Sequence, residues 1–203
     1  MVVQLFMSHT KLDRDFCNRF DIVAVRVGVK VFRSEFEEIK PPAWKTIKDQ
    51  MDVSSAMFLL VGEQLVKAQA ASEKDPKLRE EWKHTQNWIA YEIGLACERG
   101  IDVWVYCDSV KINFPVPYLN NYAIYGINLE SPTSVKWIRG VFEEYNKGHR
   151  FSVGLDKSKI CTCPYKNCQS VFNLHSVIQK DEEVPCPTCL KDMVFTDGWL
   201  LDP

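Results

Sequence analysis

The sequence lacks a long apolar run, since no stretch approaches the roughly 18 apolar residues that a transmembrane helix needs. It also lacks an excess of either charge, because 25 Lys and Arg residues face 27 Asp and Glu residues. A formal net charge of -2 offers no bulk electrostatic reason to bind nucleic acid or a membrane surface. The remaining composition, 46% hydrophobic and 26% charged, is typical of soluble globular proteins.

The first seven residues lack the basic segment that opens a signal peptide. Their apolar character predicts a first β-strand instead. We therefore expect a cytoplasmic protein, in which disulfide bonds are rare.

Cysteine is scarce in most of the sequence but crowded near its end, where five of the eight cysteines lie within the 29 residues 161–189. Without an export signal, this crowding predicts metal binding rather than disulfides. Two pairs, Cys163 with Cys168 and Cys186 with Cys189, are separated by 17 residues. Four thiolates with this spacing can close a tetrahedral Zn²⁺ site and leave no open position, so a structural role is expected.

The segment 160–203, called the cysteine module below, resembles a zinc ribbon. Its 44 residues hold too little core to fold alone, so the metal is expected to stabilise it. Cys161 is an alternative to Cys163 as a ligand, and His175 is a less favoured one. Acidic residues outnumber basic residues in this region, which favours a protein partner or self-assembly over nucleic acid.

Strand-like and helix-like apolar patterns alternate over residues 1–148 and predict a parallel α/β sheet of about five strands flanked by helices. The predicted strands span 2–7, 29–32, 56–61, 102–106 and 122–127. The predicted helices span 11–28, 43–53, 85–99 and 133–146.

Composition predicts the structure of two connecting segments. The highly charged residues 62–84 predict a long solvated loop with some helix, and residues 149–159 predict a linker to the cysteine module. In parallel α/β sheets, ligands bind outside the carboxyl ends of the strands. The loops after residues 7, 32, 61 and 106 are therefore expected to line a site.

A single carboxylate, Glu92, lies on a predicted helix that is apolar around most of its circumference. Helical spacing places Trp88 and Ala96 on the same face as Glu92. A carboxylate in such surroundings is costly unless it faces a cleft, a partner or a ligand. An apolar wall beside a cavity is a common setting for a catalytic carboxylate. The plain alternative is an ion pair with Arg or Lys from a neighbouring loop.

Several motifs, taken in order, resemble the TIR (Toll/interleukin-1 receptor) domain family over residues 1–148. They are Phe6-Met7-Ser8-His9, Lys30-Val31-Phe32 with the acidic residues 35–38 and Trp44 after it, and Trp88-Ile89-Ala90-Tyr91-Glu92-Ile93. The last motif resembles the Trp-x-x-x-Glu helix of TIR domains that hydrolyse NAD. The sequence departs from the family at Arg33-Ser34, where Asp is common, and at Pro41-Pro42, where Gly is common.

The resemblance implies a flavodoxin-like fold and an NAD glycohydrolase that cleaves the bond between nicotinamide and ribose. It implies Glu92 as the catalytic residue and self-association through the TIR-like domain. The expected contacts with NAD come from six residues: Phe6, Ser8, His9, Arg33, Trp44 and Trp88.

The chemistry explains how one carboxylate can suffice. Nicotinamide leaves as a neutral molecule, so no general acid is needed, while positive charge builds on the ribose. A nearby carboxylate stabilises that charge. Water as the attacking group gives ADP-ribose, and attack from within the same molecule gives a cyclic product; the sequence leaves both open.

Two rival functions remain open from the sequence. The segment Ala90-Tyr91-Glu92-Ile93-Gly94-Leu95-Ala96 also resembles a helix of nucleoside 2-deoxyribosyltransferases, in which Glu92 would act as a nucleophile. The other rival is a TIR adaptor without catalytic activity, which only assembles with other TIR domains.

Overall fold

The computed structural model describes most of the chain. The described residues are 2–33, 42–108, 123–124, 127–148, 159–169, 171–174, 183–186, 189, 191–196 and 199–201. Among them, no helix is both long and apolar enough to cross a bilayer.

A parallel sheet forms the centre of the α/β unit, which runs from residue 4 to residue 146. Its strands lie in the order β2–β1–β3–β4, and the two-residue β5 pairs with β4 at the edge. The bounds are β1 (Gln4–Ser8), β2 (Lys30–Arg33), β3 (Ala56–Val61), β4 (Asp102–Cys107) and β5 (Ala123–Ile124). The predicted parallel sheet is confirmed for four strands; of the fifth, predicted over 122–127, residues 122, 125 and 126 lie outside the described residues.

Within the described part of the chain, five helices flank the sheet, and a 3₁₀ turn at Lys11–Asp13 precedes the first of them. They are α1 (Arg14–Val27), α2 (Ala43–Asp52), α3 (Glu63–Ser72), α4 (Pro76–Glu98) and α5 (Pro132–Asn146). Alternate residues of β3 divide between two cores. Phe58 packs with α1 and α5 on one face, whereas Met57 packs with α2 and α4 on the other. Every residue of β3 is buried, as expected for a strand covered on both faces.

The predicted solvated loop over 62–84 is wrong, because α3 and the first part of α4 occupy this segment. Asp75 caps α4 by accepting a hydrogen bond from the Lys77 backbone N–H at 2.8 Å, and Pro76 occupies the first helical position. The high charge belongs to exposed helical faces, where ion pairs such as Lys67–Glu63 form one turn apart. A high density of charged residues is therefore compatible with regular helix when the charges lie on exposed faces.

Where it is described, the cysteine module contains short antiparallel strands. One pair is β6 (Lys159–Thr162) with β7 (Val171–Leu174), and a second sheet has the order β10–β9–β8. The bounds of that sheet are β8 (Glu183–Pro185), β9 (Asp192–Thr196) and β10 (Trp199–Leu201). Met193 is buried in the same core as α5, and α5 contacts β8. Apart from its last residue, the predicted linker 149–159 lies outside the described residues.

Candidate functional site

A cavity of about 370 Å³ opens beside the carboxyl end of β1, between the loop that follows this strand, α3 and α4. Ser8 and His9 line it from the strand end, Leu65 from α3, and Trp88 and Glu92 from α4. Its volume is in the range of small-molecule sites. The loop after residue 7 therefore lies where ligands bind in parallel α/β sheets.

Glu92 lies in the wall of this cavity and is only 2% exposed. Its helix is held to the sheet by Ile89 and Ile93, which belong to the core on that face. Ser8, 1% exposed at the end of β1, donates a hydrogen bond from Oγ to Glu92 Oε2. The carboxylate is therefore fixed by a residue 84 positions earlier in the chain. Desolvation of this kind makes a charge interact strongly with any charge that forms beside it.

The cavity carries charges of both signs. Lys11 and Arg14 line it near the start of α1, and Glu81 and Glu92 line it from α4. A cavity of this composition can hold an anionic group near the two cations and stabilise developing positive charge near Glu92. Lys11, Arg14 and Glu81 were not among the predicted site residues. Glu81 was missed because residues 62–84 were expected to form a loop; the Asp75-Pro76 helix start was the available signal.

Asp13 is a further residue that sequence reasoning missed. Its carboxylate accepts hydrogen bonds from the backbone N–H groups of Gln64 at 2.9 Å and Leu65 at 3.1 Å, at the start of α3. A side chain on Gly62 would overlap this carboxylate, so the close approach requires glycine. Asp13 thus anchors the helix that forms one wall of the cavity. Burial raises the pKa of Asp13, and the backbone hydrogen bonds oppose that rise.

Arg33 and His9 contact each other beside the cavity. Arg33 Nε lies 3.3 Å and Nη2 lies 3.1 Å from His9 Nε2. Arg33 Nη1 also forms an ion pair with Asp21 at 3.0 Å and donates to Asn18 Oδ1 at 2.7 Å. His9 lines the cavity, whereas Arg33 is not among the lining residues.

Trp88 lines the cavity one helical turn before Glu92 and packs edge to face with Tyr91, with ring centroids 5.8 Å apart. Phe6 is fully buried in the core, where its ring lies 5.4 Å from that of Phe32. Trp44 is 55% exposed at the start of α2. The structure thus brings Ser8, His9, Trp88 and Glu92 to one cavity and does not place Phe6, Arg33 or Trp44 in its wall.

Four cysteines of the cysteine module converge and could hold a metal ion. The Sγ atoms of Cys163, Cys168, Cys186 and Cys189 all lie within 4.8 Å of one another. The separations are 3.8 Å between Cys163 and Cys189 and 3.7 Å between Cys168 and Cys186. Sulfur atoms bound about 2.3 Å from one tetrahedral zinc ion are about 3.8 Å apart, so the donor set fits zinc.

The convergence of these four cysteines was predicted from their spacing and is confirmed. Cys163 and Cys186 are buried, and the Cys189 backbone N–H points to Cys186 Sγ at 3.5 Å, as in a turn that presents sulfur to a metal. The alternative ligand His175 lies outside the described residues, as does the side chain of Cys161.

A scan against protein-family models gave no match, and a search of curated proteins gave no significant match. The resemblance to the TIR family therefore stays a prediction. Function is inferred from the cavity and from the cysteine cluster.

Proposed function

We propose that this protein is an NAD glycohydrolase, in which Glu92 is the catalytic residue for cleavage of the nicotinamide–ribose bond. The observation that carries the proposal is the buried Glu92 carboxylate, bound by Ser8 in the wall of a cavity that Trp88 also lines. Burial of a carboxylate without a cavity would fit a structural ion pair equally well; the cavity favours catalysis.

The proposed reaction uses the negative charge of Glu92. As the glycosidic bond breaks, the electron pair moves to the pyridinium nitrogen and nicotinamide leaves neutral. The ribose carbon becomes positively charged, and a preorganised carboxylate in a poorly hydrated wall stabilises that charge. Ser8 orients the carboxylate through its hydrogen bond to Oε2. Attack by water, which releases one proton to solvent, then gives ADP-ribose, and attack by the adenine of the same molecule would give a cyclic product.

The remaining cavity residues match the other parts of NAD. The indole of Trp88 offers a flat apolar surface for nicotinamide or ribose. Lys11 and Arg14 place positive charge where the diphosphate can lie. The strand order β2–β1–β3–β4 agrees with a flavodoxin-like sheet, which supports the proposed TIR-type fold by analogy only.

The second candidate function is a transferase that acts on nucleosides, and the buried Glu92 carboxylate favours it as well. In that reaction Glu92 would attack the sugar carbon and form a covalent intermediate. A covalent sugar on Glu92, detected by mass spectrometry of the intact protein after incubation with a 2′-deoxynucleoside, would favour this candidate. A TIR adaptor without catalytic activity would have no use for the charged cavity.

The test compares NAD cleavage by the wild type and by Glu92→Gln, with products resolved by chromatography. We expect a loss of at least about 100-fold in the rate, because preorganised electrostatic groups contribute about 10²–10³. Glu80→Gln is the matched control, since Glu80 is an exposed carboxylate of the same helix paired with Lys83. Equal rates for the wild type and Glu92→Gln would overturn the assignment.

For the cysteine module we propose one structural Zn²⁺ held by Cys163, Cys168, Cys186 and Cys189. With all four positions taken by thiolates, the ion stabilises the fold and performs no reaction. Metal analysis of the purified protein should give about one zinc per chain. We further propose a cytoplasmic location, a protein partner for the module and self-association through the α/β unit.

A further inference from the structure

His9 follows Ser8 directly and lines the cavity, yet only 6% of it is exposed. Behind it lies Arg33 at the end of β2, with two guanidinium nitrogens 3.1 and 3.3 Å from His9 Nε2. His9 is therefore placed between a fixed cation and the cavity that holds Glu92.

The Arg33 guanidinium determines which nitrogen of the His9 ring carries the hydrogen. A guanidinium has five N–H donors, has no acceptor and stays charged at every relevant pH. His9 Nε2 must therefore accept, which leaves it without a hydrogen. The neutral ring then carries its hydrogen on Nδ1. A proton on Nε2 would point at two donors and place two positive groups about 3 Å apart, so protonation is disfavoured.

Arg33 is held in this position by α1. Asp21 pairs with Nη1 at 3.0 Å and Asn18 accepts from the same nitrogen at 2.7 Å, while the Arg33 side chain is 19% exposed. The other charged residues that line the cavity with His9 are Lys11, Arg14, Glu81 and Glu92.

We propose that Arg33 is a positioning residue that holds His9 as a neutral imidazole with its hydrogen on Nδ1. In the NAD glycohydrolase proposed above, on which this catalytic role rests, a neutral His9 preserves the negative charge of Glu92 for the ribose. A protonated His9 would place a competing cation one residue from Ser8, the hydrogen-bond donor to that carboxylate.

The direct test is a long-range ¹H–¹⁵N NMR spectrum of the full ¹⁵N-labelled, zinc-loaded chain between pH 5 and 8. His9→Gln assigns the His9 signals among the four histidines. We expect the Nδ1–H tautomer in the wild type, with His9 protonating only well below the ordinary imidazole midpoint of about 6.5. An Nε2–H tautomer, or a wild-type titration midpoint near the ordinary imidazole value of about 6.5, would overturn the proposal.

Arg33→Met removes the donors and the charge with a side chain of similar length. We expect His9 to titrate in this variant with a midpoint near about 6.5 and to populate the Nε2–H tautomer. Arg19→Met is the matched control, because Arg19 is an exposed residue of α1 paired with Glu130. An unchanged His9 titration in Arg33→Met would contradict the proposal. If Arg33→Met does not fold, the wild-type spectrum alone still decides the tautomer.

The pH profile of NAD cleavage separates this proposal from the proposed function. We expect kcat of the wild type to stay nearly constant from pH 8 to pH 6. In Arg33→Met it should fall about fourfold, because an imidazole with the ordinary midpoint is roughly three-quarters protonated at pH 6. An equal acid-side decline in both proteins would count against the role of Arg33. A wild type that is inactive toward NAD, with the Nδ1–H tautomer present, would sink the proposed function and leave the assignment of His9 intact.

Discussion

The Glu92 site and the cysteine cluster are built in opposite ways. Glu92 lies on a helix that is held to the sheet by core residues such as Ile93, and its partner Ser8 ends a buried strand. Cys163 and Cys186 directly follow the short strands β6 and β8, Cys168 and Cys189 lie in turns, and the four sulfur atoms converge. In one region the fold positions the carboxylate; in the other, the proposed zinc ion would hold the short strands and turns together. Damage to the first should cost function, and damage to the second should cost structure.

The largest expected effect follows from breaking the cysteine cluster with Cys186→Ser. Structural zinc contributes about 10–16 kcal/mol of apparent binding free energy in zinc-finger peptides, so loss of a buried ligand should destabilise the module by several kcal/mol. We expect loss of zinc by metal analysis and rapid proteolysis of the cysteine module, while the α/β unit resists.

Cys97→Ser provides the matched control, because Cys97 is an exposed cysteine of α4 outside the cluster. It should keep its zinc and its resistance to proteolysis. Retention of one zinc per chain by Cys186→Ser would show that the four cysteines are not the ligand set.

The second-largest effect is expected at the Glu92 site, from Ser8→Ala. A hydrogen bond to a charged group is worth about 1.5–3 kcal/mol, so its loss should lower kcat for NAD by roughly 10- to 100-fold. Zinc content should not change. Ser55→Ala, next to buried strand β3, serves as control and should keep the wild-type kcat. A Ser8→Ala enzyme with full kcat would mean that the contact to Glu92 has no role in catalysis.

The smallest effect concerns the wall of the cavity. Asp13→Ala removes both acceptors at the start of α3, and loss of such a cap costs about 1–2 kcal/mol of unfolding free energy. Chemical denaturation measures this loss, and KM for NAD should rise with it as α3 loosens. No change in either quantity would contradict the role given to Asp13.

Asp13→Asn isolates the charge of the same residue. Burial raises the pKa of Asp13 above the usual 3.8, so the folded state binds the proton more tightly than the unfolded state. That contribution to stability is present below pH 3.8 and is lost as the pH rises through the raised pKa. The stability of the wild type relative to Asp13→Asn should therefore fall with rising pH across this window. If the stability of the wild type relative to Asp13→Asn rose with pH, the result would contradict a raised pKa of Asp13.

How much of each region the sequence predicts depends on the range of its contacts. The cysteine cluster is predictable because its ligands are local pairs with a metal-binding spacing. Strand β3 and the helix of Glu92 follow from continuous or periodic apolar residues. The hydrogen bond of Ser8 with Glu92 and the cap of Asp13 on α3 join residues 84 and 51 positions apart, and no local pattern encodes them.

Arg33 and Trp44 were predicted to contact substrate, and both predictions remain untested. Asp21 and Asn18 on α1 direct the Arg33 guanidinium to His9. Trp44 is largely exposed on α2. A residue type and its place along the chain identify the element that carries it, whereas the direction of a long side chain depends on partners from other elements.

The most direct measurement of the central claim is the rate of nicotinamide release from NAD by the wild type and by Glu92→Gln, at equal zinc content and equal unfolding free energy. We predict release by the wild type and a rate at least about 100-fold lower for the variant, since its amide lacks the charge that stabilises the ribose. Equal rates in the two proteins, or no release by the wild type at any protein concentration, would contradict the account.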